Sequence, residues 1–278
     1  MLSVYASWLG EVERPFVTRG AQDRHYAAST MKVAILAALH RSGLDLDAPV
    51  LVENCFVSAV PGPAYRISED WEIDAETWRM LGHRVPLRWL AERMVRHSSD
   101  LAANTCLAHV GLDAVAEVWQ LAGARHAVTR RGIEDFGARA AGVTNLVTAN
   151  DLARLLCWLP PDLLELVAGN VHRVDLAAGL PPQTWIAFKN GWSRGVRHSV
   201  GVVRPHDAPA YVIAVCYTGP LASGEAVCDP AARLIARISA HVWDHRHHHD
   251  LSGHASPPLP DPREGLRGSA PLNARGCG

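Results

Sequence analysis

The sequence lacks an excess of positive charge. Its 278 residues carry 27 Lys and Arg against 28 Asp and Glu, a formal net charge of -1. Nucleic acids and anionic membranes bind basic surfaces, so neither is expected as a partner. The chain also lacks any run approaching the roughly 18 consecutive apolar residues of a membrane-spanning helix. We therefore expect no membrane span.

A secretory signal and a paired-cysteine motif are also missing. The first residues, MLSVYASWLGEVERPF, lack the basic region and long apolar core of such a signal. As written, the protein is expected in the cytoplasm, or outside it if the true start lies upstream. The six cysteines form no CxxC pair, which argues against a zinc cluster or a thioredoxin-like site.

Histidine is plentiful but clustered at only one place, residues 245–249. This run could hold a metal weakly, but we assign it to the frayed end of the last helix. No physiological metal and no other cofactor is predicted.

Periodicity divides the chain into three parts. Strands are predicted at 3–8 and near 16–18, followed by an alanine-rich helix over about 29–42. The middle contains helical patterns and a loop at about 125–147, with irregular structure at 50–86. The predicted middle helices cover 86–97, AANTCLAHV up to Gly111, 113–123, DLARLLCWL and PDLLELVAGN. Strands at 184–192, 197–205 and 209–219 and a helix at 229–245 close the chain.

These elements predict an α+β fold. The terminal strands are expected to form one antiparallel sheet, with the first and last helices packed on it. We predict one domain over 1–250, with a sheet lobe at about 1–45 and 183–250 and a helical lobe at about 46–182. Residues 251–278 are rich in Pro, Gly, Ser and Arg, which predicts a disordered tail.

The start of the first long helix contains Ser29-Thr30-Met31-Lys32. Residues three apart on a helix share a face, so Lys32 is expected to lie beside Ser29. A serine hydroxyl becomes a good nucleophile when a base removes its proton, and a desolvated lysine can be that base. The alternative is a capping serine with a surface lysine.

Two further motifs place polar residues at unusual positions, one at a break between two helices and one inside an apolar strand. Ser98-Ser99-Asp100 lies at a break between two helices and precedes Ala102-Ala103-Asn104. An ordinary helix cap is the alternative there. Lys189-Asn190-Gly191 interrupts an otherwise apolar strand, where glycine permits close backbone approach by a ligand. An edge strand with an exposed lysine is the alternative there.

Together, in this order, the three motifs resemble those of the penicillin-recognising serine enzymes, above all the class A β-lactamase-like fold. That family carries S-x-x-K, S-D-N and K-T/S-G, where this chain has S-T-M-K, S-S-D and K-N-G. The stretch SSDLAAN is also similar to the family's S-D-N-T-A-A-N. The resemblance covers roughly residues 3–246.

The resemblance implies a role for each matching residue. Ser29 would be the nucleophile, Lys32 its base or proton relay, and Ser98 the group that passes a proton to the leaving nitrogen. Lys189 would support Ser98 and attract a substrate carboxylate, while Gly191 would allow that approach.

The oxyanion hole would be formed by the backbone N–H groups of Ser29 and Trp192. Each N–H group is expected to lower the activation free energy by about 2.7–4 kcal/mol, by analogy with known oxyanion donors.

The chain departs from the family at several positions. Asp100 replaces an amide that orients the lysine and the substrate, and its charge should favour the charged form of Lys32. Asn190 replaces the hydroxyl residue that binds the substrate carboxylate. Arg197, with His198 on the next strand, is a candidate to assist that binding, or else lies on a surface strand.

Release of the acyl group is the step that the motifs leave open. Class A enzymes use a glutamate in E-x-x-L-N to activate a water. The corresponding stretch, RRGIEDFGARAAGVTN, has no L-N after its glutamate. Glu134 is the natural candidate, with a solvated loop carboxylate as the alternative.

The resemblance therefore implies a serine hydrolase that is acylated by a β-lactam or a related amide or ester and then hydrolysed. We expect it to be a monomer. A DD-peptidase or esterase, or a penicillin-binding sensor with slow or no turnover, is the alternative.

Overall fold

A five-stranded antiparallel sheet forms the centre of the molecule, in the order β2-β1-β9-β8-β7. The computed structural model describes residues 1–247 and Leu259. The short strands β3 and β6 pair with each other, as do β4 and β5. The strands of the described residues are β1 (Leu2–Trp8), β2 (Pro15–Arg19), β3 (His25–Tyr26), β4 (Pro49–Leu51), β5 (Arg84–Pro86), β6 (Leu146–Val147), β7 (Trp185–Ser193), β8 (Val196–Arg204) and β9 (Tyr211–Thr218).

Along the chain, helices α1 to α7 lie between the N-terminal strands and β7, and the last helix, α8, ends at Asp244. Three short 3-10 helices (Ala28–Met31, Glu69–Trp71 and Ala177–Gly179) accompany them in the described residues. The α-helices there are α1 (Lys32–Arg41), α2 (Ala75–Arg79), α3 (Leu87–Arg96), α4 (Asp100–Leu121), α5 (Phe136–Ala140), α6 (Ala149–Trp158), α7 (Pro161–Ala168) and α8 (Pro230–Asp244).

Both faces of the sheet are buried, which explains its long apolar runs. Along β9, alternate residues enter opposite hydrophobic clusters: Val212 and Ala214 pack with α1 and α6, while Ile213 and Val215 pack with α8. This alternation is the two-residue period of a strand. The predicted mixed α+β architecture, with helices on an antiparallel sheet, is confirmed.

Short elements and helix starts are where the structure differs from the expectation. The helix expected at 29–42 begins as the 3-10 helix Ala28–Met31, and α1 starts only at Lys32. The two helices expected around Gly111 are the halves of α4, which breaks there at a φ of 79°. The loops expected at 50–86 and 125–147 contain α2, α5 and several short strands, since elements of two to five residues show no period.

No helix within residues 1–247 combines the length and apolar character needed to cross a membrane. The tail predicted at 251–278 lies outside the described residues except for Leu259, as do residues 248–249 of the histidine run. The division into a sheet lobe and a helical lobe stays a prediction.

Candidate active site

Ser29 lies on the 3-10 helix that leads into α1. Its neighbours Thr30, Met31 and Lys32 are buried, whereas Ser29 itself is half-buried. The chain just before it is held by the buried His198, whose Nε2 donates to the Tyr26 carbonyl at 2.8 Å. No hydrogen bond of the Ser29 hydroxyl occurs within the described residues. The hydroxyl is therefore free to meet a ligand at the start of a buried helix.

Lys32 connects α1 to the loop that carries the second motif. Its buried Nζ donates to the Ser98 carbonyl and, at 3.3 Å, to Ser98 Oγ. It also forms an ion pair with Asp100 Oδ1 at 2.6 Å. The expected contact of Asp100 with Lys32 is present. Lys32 is thus bonded to Ser98 and Asp100, with no hydrogen bond to Ser29 in the arrangement described.

Ser98 receives hydrogen bonds from two lysines. It is buried, with a φ of 59°, and its Oγ accepts from Lys189 Nζ at 2.9 Å as well as from Lys32. A serine hydroxyl has two acceptor positions and one proton. Because both acceptor positions are used, the proton is left to be donated to another group. Ser99, beside it, caps α4 by accepting from the Ala102 N–H at 3.1 Å.

Lys189 projects from β7, the edge strand of the sheet, yet it is completely buried. Its Nζ also donates to the Asn190 carbonyl at 2.8 Å. Burial, and then the charge of Lys32, lower the pKa of Lys189 well below its usual range. The alternative of an exposed lysine on an edge strand is wrong, although the edge position is correct.

Gly191 lets β7 contact the helix that carries Ser29. A Cβ atom at this position would lie 2.9 Å from the backbone nitrogens of both Ser29 and Thr30. The close approach at Gly191 was expected from a ligand, and here the protein's own backbone makes it. This packing brings the segment containing Trp192 beside Ser29, as the predicted oxyanion hole requires.

Replacing Gly191 with Ala is expected to slow the predicted acylation of Ser29 about 10- to 100-fold, because a displacement of roughly 1 Å at a reacting group has effects of that size. The acylation rate, measured by intact mass, tests this. Gly137→Ala is the control, since the nearest atom to its added Cβ would be 3.8 Å away. Equal rates in both variants would contradict the packing argument.

Glu134 is a buried carboxylate rather than a solvated one, with 9% of its surface exposed. Its Oε2 accepts from the Ser68 N–H at 2.8 Å, while its buried Oε1 has no partner among the described atoms. Burial raises the pKa of Glu134 to about 7, and the nearby Asp100 and Glu72 carboxylates add to the effect. The loop is anchored next to Glu134 by Asn104, which exchanges bonds of 2.8 and 2.9 Å with the Ile133 backbone.

Glu72 is a site residue that sequence reasoning missed. Its Oε2 accepts from the Leu101 N–H at 2.8 Å and from Ser99 Oγ at 3.1 Å, so it supports the start of α4. Burial, and next the Asp100 charge, raise its pKa. It belongs to a segment without periodicity and to none of the three motifs, so no local signal could have found it.

The predicted substrate-binding roles of Asn190 and Arg197 do not match their placement. Asn190 Nδ2 donates to Asp175 at 2.5 Å, and its Oδ1 accepts from Asn170 at 2.7 Å. Arg197 Nε bonds Asp175 at 2.8 Å, and its terminal nitrogens bond the carbonyls of residues 226 and 227. Both side chains are completely buried. Their shared partner, Asp175, lies 15 and 22 residues away in the sequence and outside the motif. From the motif alone, both side chains were therefore expected to be free to bind a substrate carboxylate.

Trp192 is half-buried between two side chains. The Arg197 guanidinium lies 4.7 Å from the centre of its ring, and the His172 ring lies edge-on at 5.6 Å. The indole is therefore held in place at the end of the K-N-G segment.

The sheet, its flanking helices and the contacts that join Lys32, Ser98 and Lys189 define a protein of the β-lactamase-like fold. The model of the β-lactamase enzyme family matches residues 2–246, and the chain belongs to that family. The predicted resemblance is thus confirmed. No curated protein sequence matches the chain.

Solved structures of the same fold extend over most of the chain. A β-lactamase from Xanthomonas campestris pv. campestris has a TM-score of 0.70 at 20% identity, covering 91% of this chain and 92% of its own. A protein called PBP-A has a TM-score of 0.68 at 20% identity, with coverages of 88% and 90%. A mutant of a class A β-lactamase of the last common ancestor of Gram-negative bacteria has a TM-score of 0.71 at 19% identity, with coverages of 89% and 94%.

Proposed function

We propose that the protein is a serine hydrolase, acylated at Ser29 by a β-lactam or a related amide or ester and then deacylated by water. The observation that supports this best is the Ser98 hydroxyl, which accepts from Lys189 at 2.9 Å and from Lys32 at 3.3 Å. This arrangement prepares a proton donor that is bonded to Lys32, three residues after the free Ser29 hydroxyl.

In the acylation step, Ser29 Oγ attacks the carbonyl carbon, and the bond from that carbon to the leaving nitrogen or oxygen breaks. The Ser29 proton passes to a base, and the Ser98 hydroxyl donates a proton to the leaving atom. The backbone N–H groups of Ser29 and Trp192 would stabilise the oxyanion. Ser98 regains a proton from the lysine that bonds it.

Glu134 is the base that we assign to deacylation. Its unpartnered Oε1 can accept a proton from a water molecule that attacks the acyl-ester carbon. The ester bond to Ser29 Oγ then breaks, and Ser29 is reprotonated. The same carboxylate could accept the Ser29 proton through water during acylation, because Lys32 is already bonded to Asp100.

Deacylation is expected to accelerate as the pH rises through about 7. A carboxylic acid with a pKa of about 7 is protonated below that pH and becomes a base above it. The decay of the adduct, followed by intact mass after excess substrate is removed, gives the rate. In Glu134→Gln the adduct should persist without this pH dependence.

Glu69→Gln is the control, because Glu69 is an exposed carboxylate near the same loop. Loss of the pH dependence in both variants, or in neither, would show that Glu134 is not the base.

Incubation with a chromogenic cephalosporin tests the proposal as a whole. Sustained colour that is lost in Glu134→Gln supports a full β-lactamase. No adduct and no turnover with any β-lactam or short ester would overturn the assignment.

A DD-peptidase or esterase, or a penicillin-binding sensor, is the second candidate. The ion pair of Lys32 with Asp100 favours it, since a lysine engaged in that way is withdrawn from Ser29. A stable adduct in the unmodified protein, without turnover of the cephalosporin, would support this candidate.

A further inference from the structure

We infer that His172 is a positioning residue, which holds the loop of Ser98 against β7 so that Ser98 can pass its proton to the leaving atom. This role rests on the proposed function, in which the Ser98 hydroxyl is the proton donor of the acylation step. His172 lies in the connection between α7 and β7, outside the three motifs. Its side chain is half-buried and close enough to both lysines of the site to interact with them electrostatically.

On one side, His172 and the residue before it bond the backbone that leads into Ser98. The His172 Nε2 donates to the His97 carbonyl at 3.1 Å, and the Val171 N–H donates to the Arg96 carbonyl at 3.0 Å. Ser98 follows directly, with a φ of 59° that a residue other than glycine keeps only when its surroundings hold it there. The two bonds therefore fix the chain at the turn that places the Ser98 hydroxyl.

On the other side, the same segment is attached to β7 around Lys189. The His172 N–H donates to Asn170 Oδ1 at 2.9 Å. Asn170 Nδ2 in turn donates to the Phe188 carbonyl at 3.0 Å and to Asn190 Oδ1 at 2.7 Å. Since Phe188 and Asn190 are the two neighbours of Lys189 on β7, the segment is bonded to the strand on both sides of that lysine.

The His172 side chain joins the two sides. Its ring donates to the His97 carbonyl and also lies edge-on to the Trp192 ring, with 5.6 Å between the ring centres. Burial lowers the pKa of His172, and the charges of Lys189 and Lys32 act in the same direction, so the ring is neutral at neutral pH. A neutral ring can donate through Nε2 without placing a third cation beside the two lysines.

Loss of this link is expected to slow proton donation more than nucleophilic attack. Ser98 Oγ and Lys189 Nζ lie 2.9 Å apart, and a displacement of about 1 Å at a reacting group can cost about 100-fold in rate. p-Nitrophenolate is a weak base and leaves without a proton, whereas the more basic phenolate depends on the proton from Ser98. A displaced Ser98 should therefore slow the reaction of a phenyl ester and spare that of a p-nitrophenyl ester.

The phenyl and p-nitrophenyl esters of phenylacetylglycine test this role. For each ester, kcat/KM is measured from the release of the phenol, and the value for a variant is divided by that for the unmodified protein. In His172→Ala we expect a loss of about 10- to 100-fold for the phenyl ester and of less than about threefold for the p-nitrophenyl ester. A partly unfolded variant would lose the same factor with both esters, so the comparison separates positioning from stability.

Two further variants separate the hydrogen bond from the ring contact. His172→Gln keeps a side-chain N–H for the His97 carbonyl and should restore the phenyl ester to within about threefold of the unmodified protein. His172→Phe keeps a ring beside Trp192 without the donor and should behave like His172→Ala. His109→Ala is the control, because the exposed His109 ring bonds the Thr105 carbonyl at 2.8 Å within α4. It should leave both esters unchanged.

Equal losses with the two esters in His172→Ala, or no loss with either, would overturn this role and leave the proposed function intact. A His172→Gln variant as slow as His172→Ala would also overturn it, since the imidazole itself would then take part in the chemistry. If neither ester acylates the unmodified protein and a fluorophosphonate probe leaves Ser29 unlabelled, the proposed function fails as well.

Discussion

Replacing Ser29 with Ala is expected to reduce turnover by roughly 10⁶-fold, the loss seen when a nucleophilic serine is removed from a serine hydrolase. The methyl group of alanine fits the half-buried position, and the Ser29 hydroxyl makes no hydrogen bond within residues 1–247 that the fold would lose. The chemistry should therefore disappear while the protein remains folded. Intact mass after exposure to a β-lactam, together with thermal unfolding, measures both effects.

Ser42→Ala is the matched control for this prediction. Ser42 lies just after the end of α1, the helix that follows the Ser29 turn, and its hydroxyl donates to the Leu39 carbonyl at 2.7 Å. Its replacement should leave acylation unchanged. An adduct that still forms at the normal rate in Ser29→Ala would exclude Ser29 as the nucleophile.

The second large effect is on stability and comes from Arg197. Its guanidinium pairs with Asp175 at 2.8 Å, and both side chains are 0% exposed. Asp229, also buried, lies 3.9 Å from the same guanidinium. Removing one partner of a buried pair leaves an uncompensated charge, so Arg197→Ala should lower the free energy of unfolding by about 3–5 kcal/mol. Urea denaturation followed by fluorescence measures this value.

Arg204, at the opposite end of β8, provides the control. It pairs with Glu165 at 3.1 Å, but the two side chains are 40% and 57% exposed. Exposed pairs contribute about 1 kcal/mol or less, so Arg204→Ala should be nearly neutral. Asp175 bonds both Arg197 and Asn190, the neighbour of Lys189 on β7. Similar losses of unfolding free energy in the two variants would mean that this network is not a main support of β7.

Sequence patterns were sufficient for the long elements of the fold. Strands β7 to β9 and helix α8 extend over enough residues to show a clear period, and their bounds agree with the prediction within about two residues. The 3-10 helix before α1 was missed because a single turn leaves no periodic signature. The break at Gly111 was recognised as two helices because glycine readily adopts its φ of 79°.

The candidate site shows a similar limit. Ser29, Lys32, Ser98 and Lys189 could be predicted because each belongs to a short motif whose order matches the family. The contact of Lys32 with Asp100 was expected from the motifs, but the buried pairing of Arg197 with Asp175, 22 residues before it, was not. Such pairings depend on the folded sheet, which no local pattern specifies.

Locating a covalent label tests the central claim most directly. A fluorophosphonate loses fluoride when a nucleophilic serine attacks its phosphorus, and it needs no β-lactam recognition. After labelling, digestion and tandem mass spectrometry, we predict one modified residue, Ser29, with labelling blocked by prior treatment with an acylating β-lactam. A label on Ser98 or elsewhere, or no label on a folded protein, would contradict the assignment of Ser29 as the nucleophile.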